Sequence, residues 1–371
     1  MGPDVPDASG VAAETDLGPD RVAELDAGGM LGAIDGLSRQ LTAGYSVALA
    51  DLAGVFVAAN DGPPAAPTGV VVCGMGGSAI GADLVLATMP DLAVPAAVVR
   101  GYHLPAWVGP GTLVVAASFS GDTEETLACT REALGRGCVP VCVASGGRLA
   151  ALAEELELPL VRVPAGGQPR AAVGYLATPL LATLVACGLS GDRQTDVDEA
   201  AAVLRAGVAA CGPGVPDASN PAKALARRLH RRQVVVYGAG LTAPVARRWK
   251  GQINENAKAP AFWNELPELD HNELMGWTSL PHAAAGTIAV FLDDVAEDER
   301  LRRRADLTAA ELEARGVGVE RVSASGRSAF ARLFSLVQLG DYASYYLALL
   351  YGVDPTPVAA IQAFKAKLAG D

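Results

Sequence analysis

The stretch VVVCGMGGSAIG, residues 70–81, joins an apolar run to a glycine-rich turn and the start of a helical pattern. A second stretch of the same form, LVVAASFSGDTEET, covers residues 113–126. Short aliphatic runs of this kind are typical of buried parallel strands. Each turn leads into a helix start, where backbone N–H groups and small hydroxyls can point at a bound anion. One such loop would be interpreted as ordinary turn and N-cap residues, but two of them predict an anion site.

The two turns lack the signatures of nucleotide-binding loops. GMGGSAIG, residues 74–81, does not have the spacing G-x-G-x-x-G, and no P-loop lysine follows it. Four hydroxyls stand in the turns without a fixed cation, which suits a phosphomonoester on a small polar molecule better than a polyphosphate with its magnesium ion. These hydroxyls belong to Ser78, Ser118, Ser120 and Thr123.

The composition is that of an acidic chain long enough for two domains. Its 371 residues can build two cores of ordinary size. With 29 basic and 41 acidic residues the formal charge is −12, which argues against nucleic acid or an anionic membrane as the main partner. Six cysteines without a C-x-x-C pair indicate buried thiols in a reducing compartment. Because no signal peptide or membrane-spanning stretch is found, the sequence predicts a soluble cytoplasmic protein.

Apolar runs alternate with helical patterns along the chain, which predicts α/β domains with doubly wound parallel sheets. Residues 1–20 have the composition of a disordered tail, and a helical pattern covers 21–41. The segment 211–223, rich in Gly, Pro and Asn, is interpreted as the junction between domains 21–212 and 213–371. Strands are expected near 70–73, 96–99, 113–117, 139–143 and 160–163, and again near 233–240, 287–292 and 317–322.

The second half looks like a reduced copy of the first. Its loop YGAGLTAP, residues 237–244, is a strand–turn–helix junction of the same kind, but it carries a single hydroxyl, Thr242. No phosphate is therefore expected at this loop.

Four motifs, in order, resemble the bifunctional phosphoglucose/phosphomannose isomerases, a branch of the sugar isomerase (SIS) domain superfamily. They are GMGGSAIG (74–81), SFSGDTEET (118–126), GGQPRAAVGY (166–175) and NENAKAPAFWNELPELDHNELMGW (254–277). The resemblance covers about residues 65–371 and implies two tandem SIS domains, each an αβα sandwich. It also implies an aldose–ketose isomerase that interconverts glucose 6-phosphate and mannose 6-phosphate with fructose 6-phosphate without a metal.

The resemblance implies the phosphate-binding and catalytic residues as well. The family's phosphate-binding positions match the four loop hydroxyls, with the backbone of Gly76 and Gly77 close by. Its catalytic glutamate matches Glu255, its catalytic histidine matches His271, and its active-site arginine matches Arg170.

Two further features follow from the same resemblance. A C-terminal lysine of the family matches Lys365, with Lys367 as the alternative. The family's site is completed across a dimer by the histidine of the neighbour, so a homodimer is implied. The acidic N-terminal extension departs from the family pattern and bears on subunit contacts more than on the site.

The matched residue types suit the chemistry. Moving a proton between C1 and C2 through a cis-enediol needs one base that accepts and returns it on the same face. Glu255 follows a helix predicted to begin near Thr242, and the alternative is a solvated carboxylate paired with Lys258. Ring opening needs a second acid/base group, and histidine has a suitable pKa. A fixed guanidinium, that of Arg170, would stabilise the enediolate, although by spacing alone a surface arginine is equally possible.

Three histidines lie outside the matched motifs, and two other functions remain as alternatives. His103, His230 and His282 are interpreted as structural or exposed. Four scattered histidines form no metal-ligand cluster, so neither a metal nor another cofactor is expected. A sugar-phosphate sensor without catalysis stays open as an alternative, and so does an isomerase specialised for mannose 6-phosphate or a modified sugar. An intact Glu255 and His271 favour an enzyme.

Overall fold

The structure, a computed structural model, describes residues 15–56, 66–279 and 281–370. They form two compact units. The five-stranded unit comprises the described residues of 36–205 and 325–334, and the four-stranded unit those of 15–35, 206–324 and 335–370. Neither unit is one continuous piece of chain, whereas the sequence predicted two continuous domains.

The N-terminal region contains three helices where the sequence predicted one helix over 21–41. They are α1 Pro19–Leu25, α2 Met30–Asp35 and α3 Leu37–Asp51. The break before α2 has a local cause, because the Asp26 carboxylate accepts hydrogen bonds from the backbone N–H groups of Met30 and Leu31 at 2.7 and 2.9 Å. Residues 1–14 of the predicted disordered tail lie outside the described residues. The tail was predicted to extend to residue 20, but α1 already begins at Pro19.

The five-stranded sheet is parallel throughout and confirms all five strands predicted in the first half. Its strand order is β2-β1-β3-β4-β5. The two central strands β1 and β3 are buried along their whole length, as their aliphatic sequences predict. The strands are β1 Gly69–Cys73, β2 Ala96–Val99, β3 Thr112–Ser118, β4 Val141–Ala144 and β5 Leu160–Arg162.

The four-stranded sheet is also parallel, with β6 and β8 at its centre and the order β7-β6-β8-β9. Three of its strands were predicted and one, β7, was missed. In β7 the sequence AFWNEL mixes aromatic and polar residues because it lies at the edge of the sheet and is only partly buried. The strands are β6 Gln233–Ala239, β7 Ala261–Leu266, β8 Thr287–Asp293 and β9 Gly318–Ser323.

Helices follow most strands, as in doubly wound α/β folds. The α-helices after α3 are α4 Gly76–Ala87, α5 Glu124–Gly135, α6 Gly147–Glu155, α7 Val173–Ala186, α8 Gln194–Cys211, α9 Pro221–Leu229, α10 Ala243–Asn256, α11 Glu273–Gly276, α12 Pro281–Ala285, α13 Glu299–Glu313, α14 Ala329–Tyr351 and α15 Ala359–Ala369. Short 3-10 helices cover Pro169–Ala171, Asp217–Ser219, Gly240–Thr242 and Glu268–His271. Judged by length and apolarity, no helix in the described ranges could span a bilayer.

All six cysteines are free thiols, as the sequence predicted. Five of them are buried, and Cys187 is half-buried. Burial raises the pKa of Cys142 to about 12 and that of Cys211 to about 11, so both thiols stay protonated at neutral pH. Their role is packing within the cores.

Candidate active site

The two predicted phosphate loops lie side by side at the carboxyl ends of β1 and β3. These strands are neighbours, with Cys73 paired to Ala116. The backbone N–H of Phe119 in the second loop donates to Oγ of Ser78 in the first, at 3.2 Å. In parallel sheets the crevice beyond the strand ends is the usual ligand position. The structure therefore brings together the loops that the sequence placed 44 residues apart along the chain.

The first loop depends on its glycines. α4 begins at Gly76, whose φ of +50° lies in the left-handed region that favours glycine. A Cβ atom on Gly77 would lie 2.7 Å from the carbonyl oxygen of Pro169 and 3.2 Å from the backbone nitrogen of Arg170. The missing side chain thus lets the N-terminus of α4 approach the turn that carries Arg170. The first N–H groups of a helix have no intrahelical acceptor, so they are available to an anion.

The second loop uses its hydroxyls partly to shape itself. Ser118 is fully buried, and its Oγ accepts from the backbone N–H of Gly121 at 3.1 Å. The hydroxyls of Ser118 and Thr123 lie 2.8 Å apart. Ser120 is exposed, and its Oγ accepts from the N–H of Asp122 at 3.2 Å. Because each hydroxyl has a single proton, the bond between Ser118 and Thr123 leaves one proton of that pair for a phosphate oxygen, and Ser120 can donate its own.

Arg170 is buried, with 4 % of its surface exposed, so it is not the surface arginine that the sequence also allowed. It lies in the 3-10 helix Pro169–Ala171, and its Nη1 donates to Oε1 of Gln168 at 3.1 Å. An arginine is rarely buried unless it is paired or serves a ligand. Arg170 and both loops belong to the five-stranded unit, which therefore holds the whole predicted anion-binding set.

Gln40 is a supporting residue that the sequence reasoning missed. It is buried on α3, and its Nε2 donates to the carbonyl of Ala171 at 2.7 Å, while its Oε1 accepts from the N–H of Gly174 at 3.1 Å. The amide therefore clamps the main chain on the C-terminal side of Arg170. A lone glutamine within a helical pattern is a weak signal, and its partners lie more than 130 residues away.

Glu255 lies in the last turn of α10 and is half-buried. The sequence had placed it after this helix, but α10 continues to Asn256. The helix continues because three polar side chains one turn apart, Arg248, Gln252 and Asn256, are buried on one face and bonded to α14.

Those bonds set the rotation of α10. Nη2 of Arg248 donates to both oxygens of the Asp341 carboxylate, at 2.9 and 2.7 Å. Nε2 of Gln252 donates to the same carboxylate at 2.8 Å, and Nδ2 of Asn256 donates to Oγ of Ser344 at 3.0 Å. A buried ion pair with several hydrogen bonds in fixed geometry favours one arrangement over alternatives. Because these bonds fix the rotation of α10, they also fix the position of Glu255 beside the bonded face.

Lys258, three residues after Glu255 in the motif, has a left-handed backbone with φ +56°. Its Nζ donates to the backbone carbonyls of Glu255 and Pro355. A lysine near the end of a helix commonly satisfies terminal carbonyls in this way. The ammonium therefore joins the end of α10 to the segment that leads into α15.

His271 is exposed at the end of the 3-10 helix Glu268–His271, and α11 begins two residues later. The neighbouring Asp270 is held by α13, because its carboxylate accepts from Nη1 of Arg304 at 2.9 Å and from Oγ1 of Thr308 at 2.8 Å. The sequence predicted a helix start here with an outward-facing side chain, and the structure shows an exposed ring at such a turn.

The other three histidines have surroundings of a different kind. His103 is exposed, with Nδ1 3.7 Å from the Glu132 carboxylate, and His282 is exposed on α12. His230 is half-buried, with its ring centroid 4.8 Å from that of Tyr351. Burial lowers the pKa of His230, and the positive charge of Arg231 lowers it further. None of the three lies on a loop matched to the family motifs.

Lys365 and Lys367 are both exposed on α15. This helix also exposes Ile361, Phe364 and Leu368. The structure places the two lysines in similar surroundings, so the choice between them stays with the sequence match. Over residues 15–56, 66–279 and 281–370, no group of three or more His, Cys, Asp or Glu side chains is arranged to hold a metal ion.

Comparison with known proteins identifies the family. The model of the bacterial phospho-glucose isomerase C-terminal SIS domain matches residues 218–368. The bifunctional phosphoglucose/phosphomannose isomerase of Caldicellulosiruptor bescii is 41 % identical over 302 residues, which are 81 % of this chain and 89 % of that protein. The chain belongs to the bifunctional phosphoglucose/phosphomannose isomerase family. The family member from Aquifex aeolicus is 37 % identical over 302 residues, 81 % of this chain and 90 % of that protein.

A solved structure resembles this isomerase family member in fold over nearly the whole chain. A hypothetical protein from Thermus thermophilus superposes with a TM-score of 0.73 and 19 % identity, covering 95 % of this chain and 92 % of that one. At this identity the likeness concerns the fold alone. It agrees with two α/β SIS domains built on parallel sheets, as the sequence predicted.

Proposed function

We propose that this chain interconverts glucose 6-phosphate and mannose 6-phosphate with fructose 6-phosphate through ring opening and a cis-enediol. The observation that carries the proposal is the buried Arg170, whose backbone lies next to Gly77 of the first phosphate loop, while that loop is hydrogen-bonded to the second. Membership of an isomerase family supports the reaction class. The cradle supports a phosphate-bearing substrate.

The phosphate is assigned to the two loops of the five-stranded unit. The backbone N–H groups of Gly76 and Gly77 start α4, and a helix N-terminus attracts an anion through its aligned peptide dipoles. The hydroxyls of Ser78, Ser118, Ser120 and Thr123 supply further donors. Small neutral donors suit a phosphomonoester, which does not need the magnesium ion that accompanies a polyphosphate.

Arg170 is assigned to the charge that develops on O1 and O2 of the enediolate. A guanidinium remains charged at all working pH values, and Gln168 and the clamped main chain around it keep it in place. Charge stabilisation by a fixed, buried donor is stronger than stabilisation by water. We expect Arg170→Lys to bind substrate yet to lose most of kcat, because the ammonium cannot reproduce the planar fork of donors.

Glu255 is assigned as the base that moves the proton between C1 and C2, and His271 as the acid/base group of ring opening. The half-buried position of Glu255 favours a carboxylate that can shed water when substrate binds. The exposed ring of His271 leaves both nitrogens open to a ligand. Lys365 takes the role of the family's C-terminal lysine, and Lys367 is its alternative.

The test is NMR of EDTA-treated protein with fructose 6-phosphate in deuterated water. Wild-type protein is expected to form glucose and mannose 6-phosphates with deuterium at C2, and Glu255→Gln is expected to be inactive. The matched control is Glu313→Gln, since Glu313 is also in the last turn of a helix but is exposed. Its activity should equal that of wild type.

Other outcomes distinguish the alternatives. Binding of the sugar phosphate without either product would favour a sensor that performs no chemistry. Formation of mannose 6-phosphate alone would identify a specialised isomerase. Loss of activity on EDTA treatment, with recovery on adding a divalent metal, would contradict the metal-free mechanism. Activity retained in Glu255→Gln would remove that residue from the role of base.

We propose a homodimer as the working form, in keeping with the family. The apolar side chains of Ile361, Phe364 and Leu368 exposed on α15 support a further packing surface. Light scattering that shows only monomer at working concentration would contradict the proposal. The cytoplasmic location expected from the sequence stays a prediction.

A further inference from the structure

The Glu273 carboxylate fastens the segment after His271 to the four-stranded sheet. Its Oε1 accepts from the hydroxyl of Tyr237 at 2.5 Å, and its Oε2 accepts from Nδ2 of Asn264 at 2.6 Å. Tyr237 is on β6 and Asn264 is its register partner on β7. Paired residues of parallel neighbours point to the same face of a sheet. The two donors therefore form a matched fork for one carboxylate.

The two hydrogen bonds from Tyr237 and Asn264 to the Glu273 carboxylate are strong. Tyr237 is buried in the core, and burial, together with the negative charge of Glu273, raises its pKa far above the usual value. The phenol thus stays protonated and donates at any physiological pH. Hydrogen bonds to an ionised carboxylate are shorter and stronger than those between neutral groups. Glu273 is held at both oxygens by two different strands.

The main chain on the other side of His271 is held separately. Asp270 is bonded to Arg304 and Thr308 of α13, as described above. His271 therefore lies on a short turn that is fastened to α13 before it and to β6 and β7 after it. Within the described part of the chain, no hydrogen bond or ion pair reaches the ring of His271 itself. The direction of the ring consequently depends on the placement of its backbone.

We propose that Glu273 is a positioning residue for ring opening, acting through the backbone of His271. The inference rests on the role proposed above for His271. A general acid must lie within hydrogen-bond reach of the sugar ring oxygen, and a displacement of about 1 Å can cost on the order of 100-fold in rate. Glu273 itself is not expected to contact the sugar. Its two anchored oxygens limit how far the turn can move.

The experiment starts with Glu273→Gln, in which an amide NH2 replaces one of the two accepting oxygens and faces a donor, the NH2 of Asn264 or the hydroxyl of Tyr237. We expect kcat with fructose 6-phosphate to fall about 10- to 100-fold. KM should change little, and so should the inhibition constant of 6-phosphogluconate, an open-chain acid that needs no ring opening. The matched control is Glu268→Gln in the same turn, where the exposed carboxylate accepts a single bond from Asn272 at 2.9 Å. It should keep wild-type kcat.

A double variant provides the rescue. Adding Asn264→Asp to Glu273→Gln exchanges the two groups: the new amide keeps an oxygen for the Tyr237 hydroxyl and turns its NH2 to the new carboxylate. The N–H of Glu265, which now bonds Oδ1 of Asn264 at 2.8 Å, still finds an oxygen there. The charge of the site is unchanged. Most of the lost kcat should return, which a general loss of stability would not explain.

Defined results would overturn the inference. One is wild-type kcat in Glu273→Gln, and another is a loss of kcat that the double variant leaves uncorrected. If the single variant does not fold, Tyr237→Phe removes one donor without changing the packed ring, and it should lower kcat with the same unchanged KM. Unchanged kcat in that variant would count against the proposal. Wild-type turnover and its loss in His271→Gln test the proposed function separately, and without them this inference falls as well.

Discussion

The same strand–turn–helix junction occurs at the centre of both sheets; we propose that it is open to an anion in the five-stranded unit, whereas in the four-stranded unit it is filled by the chain's own side chains. In the five-stranded unit, β1 leads through GMGGS into α4, and the neighbouring strand β3 ends in the hydroxyl-rich loop. In the four-stranded unit, β6 leads through GAGLT toward α10, and the neighbouring strand β8 ends in DDVAEDE, residues 293–299. The topology is equivalent, and the side chains differ.

At the second junction the only hydroxyl of the loop is bonded to backbone groups of the chain, and a carboxylate of the chain lies beside the turn. Thr242 is buried, and its Oγ1 accepts from the N–H of Ala239 at 2.9 Å and lies 2.9 Å from the carbonyl oxygen of Leu292. A Cβ on Gly240 would lie 2.8 Å from the carboxylate of Glu297. A carboxylate beside the turn repels a phosphate. Strand order thus creates a crevice, and the residues at its rim decide whether an anion can enter.

The largest effect is expected for Gly121→Ala in the open junction. Gly121 has φ +78°, and a Cβ there would lie 1.8 Å from the carbonyl oxygen of Gly146. Left-handed backbone and overpacking together should lower the free energy of unfolding by about 3 kcal/mol. Chemical denaturation measures this, and inhibition by inorganic phosphate should weaken in parallel. Gly109→Ala is the control, since a Cβ there meets nothing within 4 Å.

Removing one hydroxyl from each junction should give opposite patterns. Thr242→Val leaves buried backbone groups unsatisfied and should cost about 1–3 kcal/mol of stability with no change in KM. Ser78→Ala should cost less stability, but KM for fructose 6-phosphate should rise about tenfold through a lost hydrogen bond to the phosphate. Steady-state kinetics and urea titrations of both variants provide the measurement. A KM that rises in Thr242→Val would mean that the second junction also contacts substrate.

The smallest effect is expected for Gly240→Ala in the filled junction. Gly240 has φ +43°, and its closest neighbour is the flexible carboxylate of Glu297, which can move aside. We expect a loss of about 1 kcal/mol from the left-handed backbone alone. Thermal unfolding should show a small shift, with kcat and KM unchanged. A loss as large as that of Gly121→Ala would show that the two turns are equally rigid.

The sequence pattern was most informative where structure is local. All five strands of the first sheet could be predicted, because aliphatic runs between turns are typical of buried parallel strands. The edge strand β7 could not, because half-exposed residues follow no single hydrophobic period. The break at Asp26 was missed for a similar reason: a side-chain cap competes with an otherwise continuous helical pattern.

For the site, the sequence predicted residue types and the structure supplied their surroundings. The loops, Arg170, Glu255 and His271 follow from the motifs and their resemblance. The burial of Arg170 could not be predicted, since a proline turn with an arginine is equally natural on a surface. Gln40 and Asp341 could not be identified from the sequence, because each acts on a partner far away along the chain.

By itself the sequence determined the α/β class, the two strand–turn–helix loops and the family, since these depend on short-range patterns and on motifs read in order. Only the tertiary structure decided how the hydroxyls of each junction are bonded, how α10 is rotated, and what holds the turn of His271. These properties arise from contacts such as that between Glu273 and the paired Tyr237 and Asn264. A hydrogen bond depends on distances of a few tenths of an ångström between groups that the chain brings together only after folding.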